Sequence, residues 1–115
     1  MNRMKKIEAI VRPAKVGDVF VALAEVGHPG VMVSEIEGHG RQKGIDQQFR
    51  GKSYKVDFVT KCRIQLIVND NEVEKIIDAI RRAARTGEVG DGKIFIYPVD
   101  DAVRIRTGER GEAAL

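Results

Sequence analysis

Arg63-Ile-Gln-Leu-Ile-Val68, followed by Asn71-Glu-Val-Glu-Lys-Ile-Ile-Asp-Ala-Ile-Arg-Arg-Ala-Ala84, decides the fold. The first run reads as a strand. In the second, Val73, Ile76, Ile77, Ile80, Ala83 and Ala84 form an apolar stripe at helical spacing. Asn71 is positioned to cap that helix, with Glu74 three residues on as its capping-box partner. Glu72 and Glu74 at the start, and Arg81, Arg82 and Arg85 at the end, suit the helix dipole. Gly87 terminates the helix, and Lys93 to Val99 reads as another strand. The same order stands upstream. Ile7, Ala9 and Val11 alternate with Glu8, Ile10 and Arg12, a strand read as buried largely on both faces and ended by Pro13. Val16, Val19, Phe20, Leu23 and Val26 recur at helical spacing, with Gly27 as a suitable C′ residue. His28-Pro-Gly30 is a turn, and Val31 to Ile36 is a strand stopped at Gly38. Val103 to Arg106 reads as a short fifth strand. The expected class is α+β, a ferredoxin-like split βαβ repeat (β-α-β-β-α-β) with both helices on one sheet face. The other face has Ile10, Val31 or Ile67 to hide, depending on register, and self-association would cover it.

A chain of 115 residues, 43% apolar, supports one modest core, so residues 1–115 are read as a single domain. No apolar run approaches the ~20 residues that span a bilayer, and Met-Asn-Arg-Met-Lys-Lys is too short and polar for a signal peptide. Direct membrane insertion is not expected. Cys62 is the one cysteine, which excludes an internal disulfide and fits a reducing compartment. A net charge of +3, from 20 basic and 17 acidic residues, is too mild to demand nucleic acid. Neither Ile7–Arg12 nor Arg63–Val68 carries an aromatic residue on which bases would stack, so no nucleic-acid partner is expected.

Gly40 to about Asp57 is long for a loop inside a compact domain. It holds Arg41, Lys43, Arg50, Lys52 and Lys55 without a sustained period, and such segments are typically functional. Groups for catalysis are scarce. His28 and His39 flank turn glycines, no histidine or cysteine pair has metal-ligand spacing, and no Gly-x-Ser-x-Gly elbow occurs. Asp57, Asp91, Asp100 and Asp101 read as turn chemistry or solvated surface. An acylphosphatase-like hydrolase, the enzymatic alternative, needs a nest of free N–H groups after the first strand. Val11-Arg-Pro-Ala-Lys15 interrupts that nest with Pro13. Anion-binding groups are plentiful by contrast. Gly90 and Gly92 bracket Asp91, with Lys93 next, so backbone N–H groups and an ammonium stand together. Gly38-His-Gly-Arg-Gln-Lys-Gly44 is a second glycine-rich turn containing Arg41 and Lys43. On a strand, Arg104 and Arg106 would leave from one face. Together these groups point to a polyphosphate site and a binding protein rather than an enzyme.

At these residues the chain strongly resembles the PII signal-transduction family, trimeric regulators of nitrogen metabolism. The likeness runs from Met4-Lys-Lys-Ile-Glu-Ala-Ile10 to Arg104-Ile-Arg-Thr-Gly-Glu109. Thr86-Gly-Glu-Val-Gly-Asp-Gly-Lys-Ile-Phe-Ile-Tyr-Pro-Val99 fits the family's C-terminal signature. The resemblance implies a homotrimer with a mobile T-loop at about 40–57 and a C-terminal segment at about 100–115. It implies ATP or ADP in clefts between subunits. Gly38, Gly40, Arg41 and Gln42 match one wall, Gly90, Asp91, Gly92 and Lys93 the phosphate cradle, and Arg104 and Arg106 a neighbouring subunit's arginines. It further implies 2-oxoglutarate beside Mg-ATP. Gln42 would ligate Mg2+, Lys61 would pair with the distal carboxylate, and the Arg41 to Gly44 turn, with Lys43 and Gly44, would hold the rest. Another small anion such as bicarbonate is the alternative effector. Tyr54 aligns with a nucleotidylated tyrosine of relatives, although its surroundings read Phe49-Arg-Gly-Lys-Ser-Tyr54, and Ser53 is a phosphorylation position by analogy. Met32, Gln65 and Thr60 depart from residues common in the family. The implied partners are regulated enzymes or an ammonium channel, met through the T-loop. The implied location is cytoplasmic, and peripheral at the inner membrane when a channel is the partner.

Overall fold

Residues 3–39, 45–49, 52–56 and 58–115 are described by the structure, a computed structural model; for 38–39, 45–49, 52–56 and 58–59 the description is of the backbone. Strand β1 (Met4–Val11) leads through a 3-10 turn at Pro13–Lys15 into helix α1 (Val16–Glu25). Strands β2 (Met32–His39), β3 (Ile45–Phe49), β4 (Lys52–Val56) and β5 (Phe58–Asn69) follow. A 3-10 turn at Asp70–Glu72 precedes helix α2 (Val73–Ala84), and β6 (Lys93–Val99) completes the main sheet. The sheet order is β2-β5-β1-β6, every neighbour antiparallel, which is the ferredoxin-like arrangement.

Register explains which residues are inside. Ile7 pairs with Leu66 and Ile96, and Ala9 with Ile64 and Ile94, so these side chains share one face. That face meets Val19 and Leu23 of α1 and Val73, Ile76, Ile80 and Ala84 of α2 in one core cluster. Truncating a residue such as Ile76 or Ile80, both fully buried, would cost roughly 2–5 kcal/mol. Helix α1 ends in a Schellman pair: the Gly27 N–H donates to Ala24 O at 3.0 Å and the His28 N–H to Leu23 O at 2.8 Å. Gly27 supplies the left-handed residue at φ 93°.

The opposite sheet face carries Lys6, Glu8 and Ile10 of β1 beside Ile67, Gln65 and Arg63 of β5 and Tyr97, Phe95 and Lys93 of β6. Glu8 pairs with Lys6 at 3.6 Å and with Arg63 at 3.8 Å. The face is thus mixed, and β1 is not buried equally on both sides. Ile10 and Ile67 are half-buried here, whereas Val31 packs against the core on the helix side.

Other expectations are corrected. Asn71 does not cap α2: it lies inside the 3-10 turn, and neither that turn nor α2 has a side-chain cap hydrogen bond. Helix α2 ends at Ala84, before Gly87. The segment from 40 to 57 includes a hairpin, β3 against β4 with Ile45 opposite Val56, because alternation there is too short to read as a period. Strands β2 and β5 run beyond Ile36 and begin before Arg63, pairing out to His39 and Phe58. Val103 to Arg106 is not a strand. Val103 makes an isolated bridge to Arg110, and the chain turns at Ile105 to Thr107, so the cofacial argument for Arg104 and Arg106 does not hold.

Candidate functional site

Antiparallel pairing carries the end of β2, the start of β5, the end of β1 and the start of β6 to one end of the sheet. The Gly90 to Lys93 turn therefore adjoins that end, where β2 also finishes at His39. Gly38 lies on β2, whereas Gly40, Arg41, Gln42, Lys43 and Gly44 lie outside the described residues.

The turn before β6 is held from within by Asp91. Its carboxylate accepts from the Thr86 N–H and the Gly87 N–H, each at 2.9 Å, and from the Thr86 hydroxyl. Arg12 donates to it through Nε at 3.2 Å. These hydrogen bonds, the Thr86 hydroxyl foremost, hold the Asp91 carboxyl well below the usual carboxylate range. Asp91, grouped with the nucleotide contacts by resemblance, thus has its charge engaged in building the turn. Gly90 and Gly92 adopt left-handed φ values of 102° and 100°. Gly92 also lies against β1: a Cβ there would stand 1.7 Å from the Ile10 carbonyl oxygen. Only a glycine fits both demands.

Two cations grip the same turn from the sheet. Arg12, just past β1, donates through Nη2 to the Val89 carbonyl at 2.9 Å, and Lys61 of β5 donates through Nζ to the Gly90 carbonyl. Burial, then the neighbouring Arg12 charge, pushes the Lys61 ammonium below its ordinary value, with Asp91 opposing. An added negative charge beside Lys61 would act in the same direction as Asp91, favouring the ammonium. Lys93 begins β6 on the open face, opposite Ile10. The result is a concentration of positive charge around left-handed backbone, with the Asp91 carboxylate occupied in building the turn.

Arg12 was missed as a site residue. Its partners lie 77 and 79 residues away, and no local pattern announces such a contact. Arg104 and Arg106 are not brought to this turn within the chain. Arg104 pairs with Glu109 at 2.9 Å and donates to the Leu115 carbonyl at 3.2 Å, while Arg106 stands on an exposed turn. Tyr54 and Ser53 lie on β4, opposite Gln47 and Gln48. Among the described residues, no group of three or more His, Cys, Asp or Glu side chains is arranged to hold a metal, and no helix is long and apolar enough to cross a membrane.

Comparison with known proteins places this geometry. The family profile described as nitrogen regulatory protein P-II matches residues 4–109. The nitrogen regulatory protein P-II of Nostoc punctiforme is 51% identical over 112 residues, covering 97% of this chain and 100% of that protein. That of Rhodospirillum rubrum is 53% identical with the same coverage. A crystal structure of Arabidopsis thaliana PII bound to citrate superposes with a TM-score of 0.81 at 43% identity, covering 99% of this chain and 94% of that one. The chain belongs to the nitrogen regulatory protein P-II family, whose members are signalling proteins rather than enzymes.

Proposed function

We propose that this chain acts as one domain in a homotrimer that binds ATP or ADP at clefts between copies, senses 2-oxoglutarate beside Mg-ATP, and reports occupancy through residues 40–57. The observation that carries the reading is the convergence of Arg12 and Lys61 on the Val89 and Gly90 carbonyls, beside Gly92 and Lys93. A phosphate tail gains from backbone N–H groups and Lys93, with Arg104 and Arg106 arriving from the next copy. A dicarboxylate gains from Lys61, where its charge would oppose the Arg12 repulsion that helps lower that lysine's pKa. The citrate in the Arabidopsis thaliana structure supports a seat for a polycarboxylate in this fold. Magnesium would rest on phosphate oxygens, with Gln42 as the chain's own ligand, and Lys43 and Gly44 would complete the effector's surroundings.

Residues 40–57 follow directly from β2, so fixing Gln42 would change the surface offered to a regulated enzyme or ammonium channel in the cytoplasm. The change can be no larger than the ligand's differential affinity for the two loop states. Tyr54 lies in that surface as the modification candidate.

Titration calorimetry tests the reading. ATP with magnesium should bind, and 2-oxoglutarate should tighten it reciprocally. Arg104→Ala with Arg106→Ala should weaken ATP by at least about tenfold. Gln42→Ala should lose more 2-oxoglutarate than ATP. Absence of nucleotide binding would remove the proposal; absence of synergy would remove the 2-oxoglutarate part and leave another small anion as effector.

A further inference from the structure

The helical layer carries cations that the rest of the chain leaves unanswered. Asp78, Arg81, Arg82 and Arg85 form a rhombus on α2, each three or four positions from its neighbours. With Thr86 they surround a depression of about 320 Å³. Arg82 takes Asp78, at 3.1 Å. Arg81 and Arg85 are exposed, and neither has an ion pair among the described residues. The positions four residues before them hold Ile77 and Arg81, so the helix offers no carboxylate there. A helix dipole favours cations in the last turn, but like charges four residues apart oppose one another. The dipole therefore explains a basic helix end and not the crowding of two unpaired guanidinium groups.

Beside this patch, α1 and α2 leave a groove of about 350 Å³. Ala22 and Val26 of α1 and Ala79 and Ala83 of α2 line it, each half-buried. Asp78 and Arg82 border both depressions, so the groove and the arginines make one continuous surface. Short side chains between two helices let a third helix approach closely. Glu25 and Lys75 also border the groove with opposite charges, which leaves the arginine end to set the polarity of what enters.

We propose that this surface of α1 and α2 docks an acidic amphipathic helix of a protein partner. Its apolar stripe would lie over Ala79 and Ala83, and two carboxylates four residues apart would meet Arg81 and Arg85. The shared spacing matches carboxylates to guanidinium groups, and each pair is charge-assisted. Two other anions fit less well. A free phosphate is held by backbone N–H groups, whereas the end of a helix presents carbonyls. A planar anionic membrane would also meet Asp18, Glu25 and Glu74, all exposed on the same two helices. The surface lies outside residues 40–57 and needs no nucleotide.

The test titrates the full chain with a synthetic alanine-rich helical peptide bearing glutamates four residues apart on one side. Amide NMR shifts should concentrate at Ala22 to Val26 and at Asp78 to Thr86. Arg81→Gln with Arg85→Gln should weaken the peptide at least about tenfold, and Arg81→Lys with Arg85→Lys should recover part of the loss. Exposure of both positions and the good helix propensity of glutamine keep the variant folded. A peptide of identical composition with its glutamates spread around the helix should bind at least about threefold more weakly. Shifts gathered instead at Gly90 to Lys93, equal binding of the two peptides, or full binding by the glutamine variant would overturn the docking. Tripolyphosphate or phosphatidylserine vesicles held at Arg81 and Arg85 more tightly than the peptide would overturn it too, in favour of a phosphate or a membrane.

Discussion

The 86–92 turn and the 101–111 hairpin share one device and differ in what surrounds it. In each, an aspartate accepts backbone N–H bonds and ties down an arginine: Asp91 with Thr86, Gly87 and Arg12, Asp101 with Ala102, Gly111 and Arg110. Asp91's arginine comes from the end of β1, Lys61 adds a second tether from β5, and Gly92 touches the β1 backbone. Asp101's arginine comes from nine residues along the same hairpin. The first loop is thus part of the sheet's architecture. Among the described residues the second is braced by its own residues and the Leu115 carbonyl, and it presents its apolar tip outward.

Breaking the first loop should have the largest effect. Gly92→Ala adds a Cβ where the Ile10 carbonyl already stands and forces an L residue to φ 100°, so stability should fall by at least about 3 kcal/mol, read by urea denaturation. Stability near that of the unaltered chain would show that β1 and β6 can part there. Asp91→Asn comes next, and its signature is pH. The folded state holds this carboxyl below the ordinary carboxylate range, so its contribution is complete above the unfolded pKa of about 4 and declines as pH falls below it. The stability gap between the unaltered chain and Asp91→Asn should narrow from about pH 5 to about pH 2; a constant gap would mean that the charge does not matter.

Asp101→Asn should be milder. Hydrogen exchange at the Ala102 and Gly111 amides should quicken while the melting midpoint moves by less than about 4 °C, since the core cluster among the described residues takes no member from the hairpin. A larger drop would make the hairpin part of the folded core and blunt the contrast. The smallest effect is electrostatic. Arg12→Met should raise the Lys61 pKa without restoring the ordinary lysine value, because burial is the larger cause. Since depression of a lysine makes stability grow as pH rises through its folded pKa, that alkaline slope should also flatten. Side-chain NMR titration would check both; an unmoved Lys61 would separate the two tethers.

Much of this molecule was legible because its cues are local. Alternation in β1, the stripe of α2 and the Gly27 stop are patterns within one turn or one pleat, and the core follows from them. The glycine turn at Gly90 and Gly92 was legible for the same reason. What escaped depends on distance. Arg12 meets the turn across 77 to 79 residues, so only the folded sheet reveals it. The Asn71 cap failed because a 3-10 turn took up the residues that a direct helix start would have used. Arg104 and Arg106 were read on a strand from alternation alone, yet four residues alternate too briefly to outweigh the turn at Ile105 to Thr107.

The placement of β1 sets the tempo of biogenesis. It is made before β5 and β6, yet it lies between them, with Met4 opposite Asn69 on one side and Val99 on the other. A nascent chain on the ribosome must therefore carry Ile7, Ala9 and Val11 unpaired until β5 has emerged, and with one edge of β1 open until β6 follows. Such long-range closure slows folding and lengthens the interval in which a chaperone, or another unfinished chain, can reach those residues.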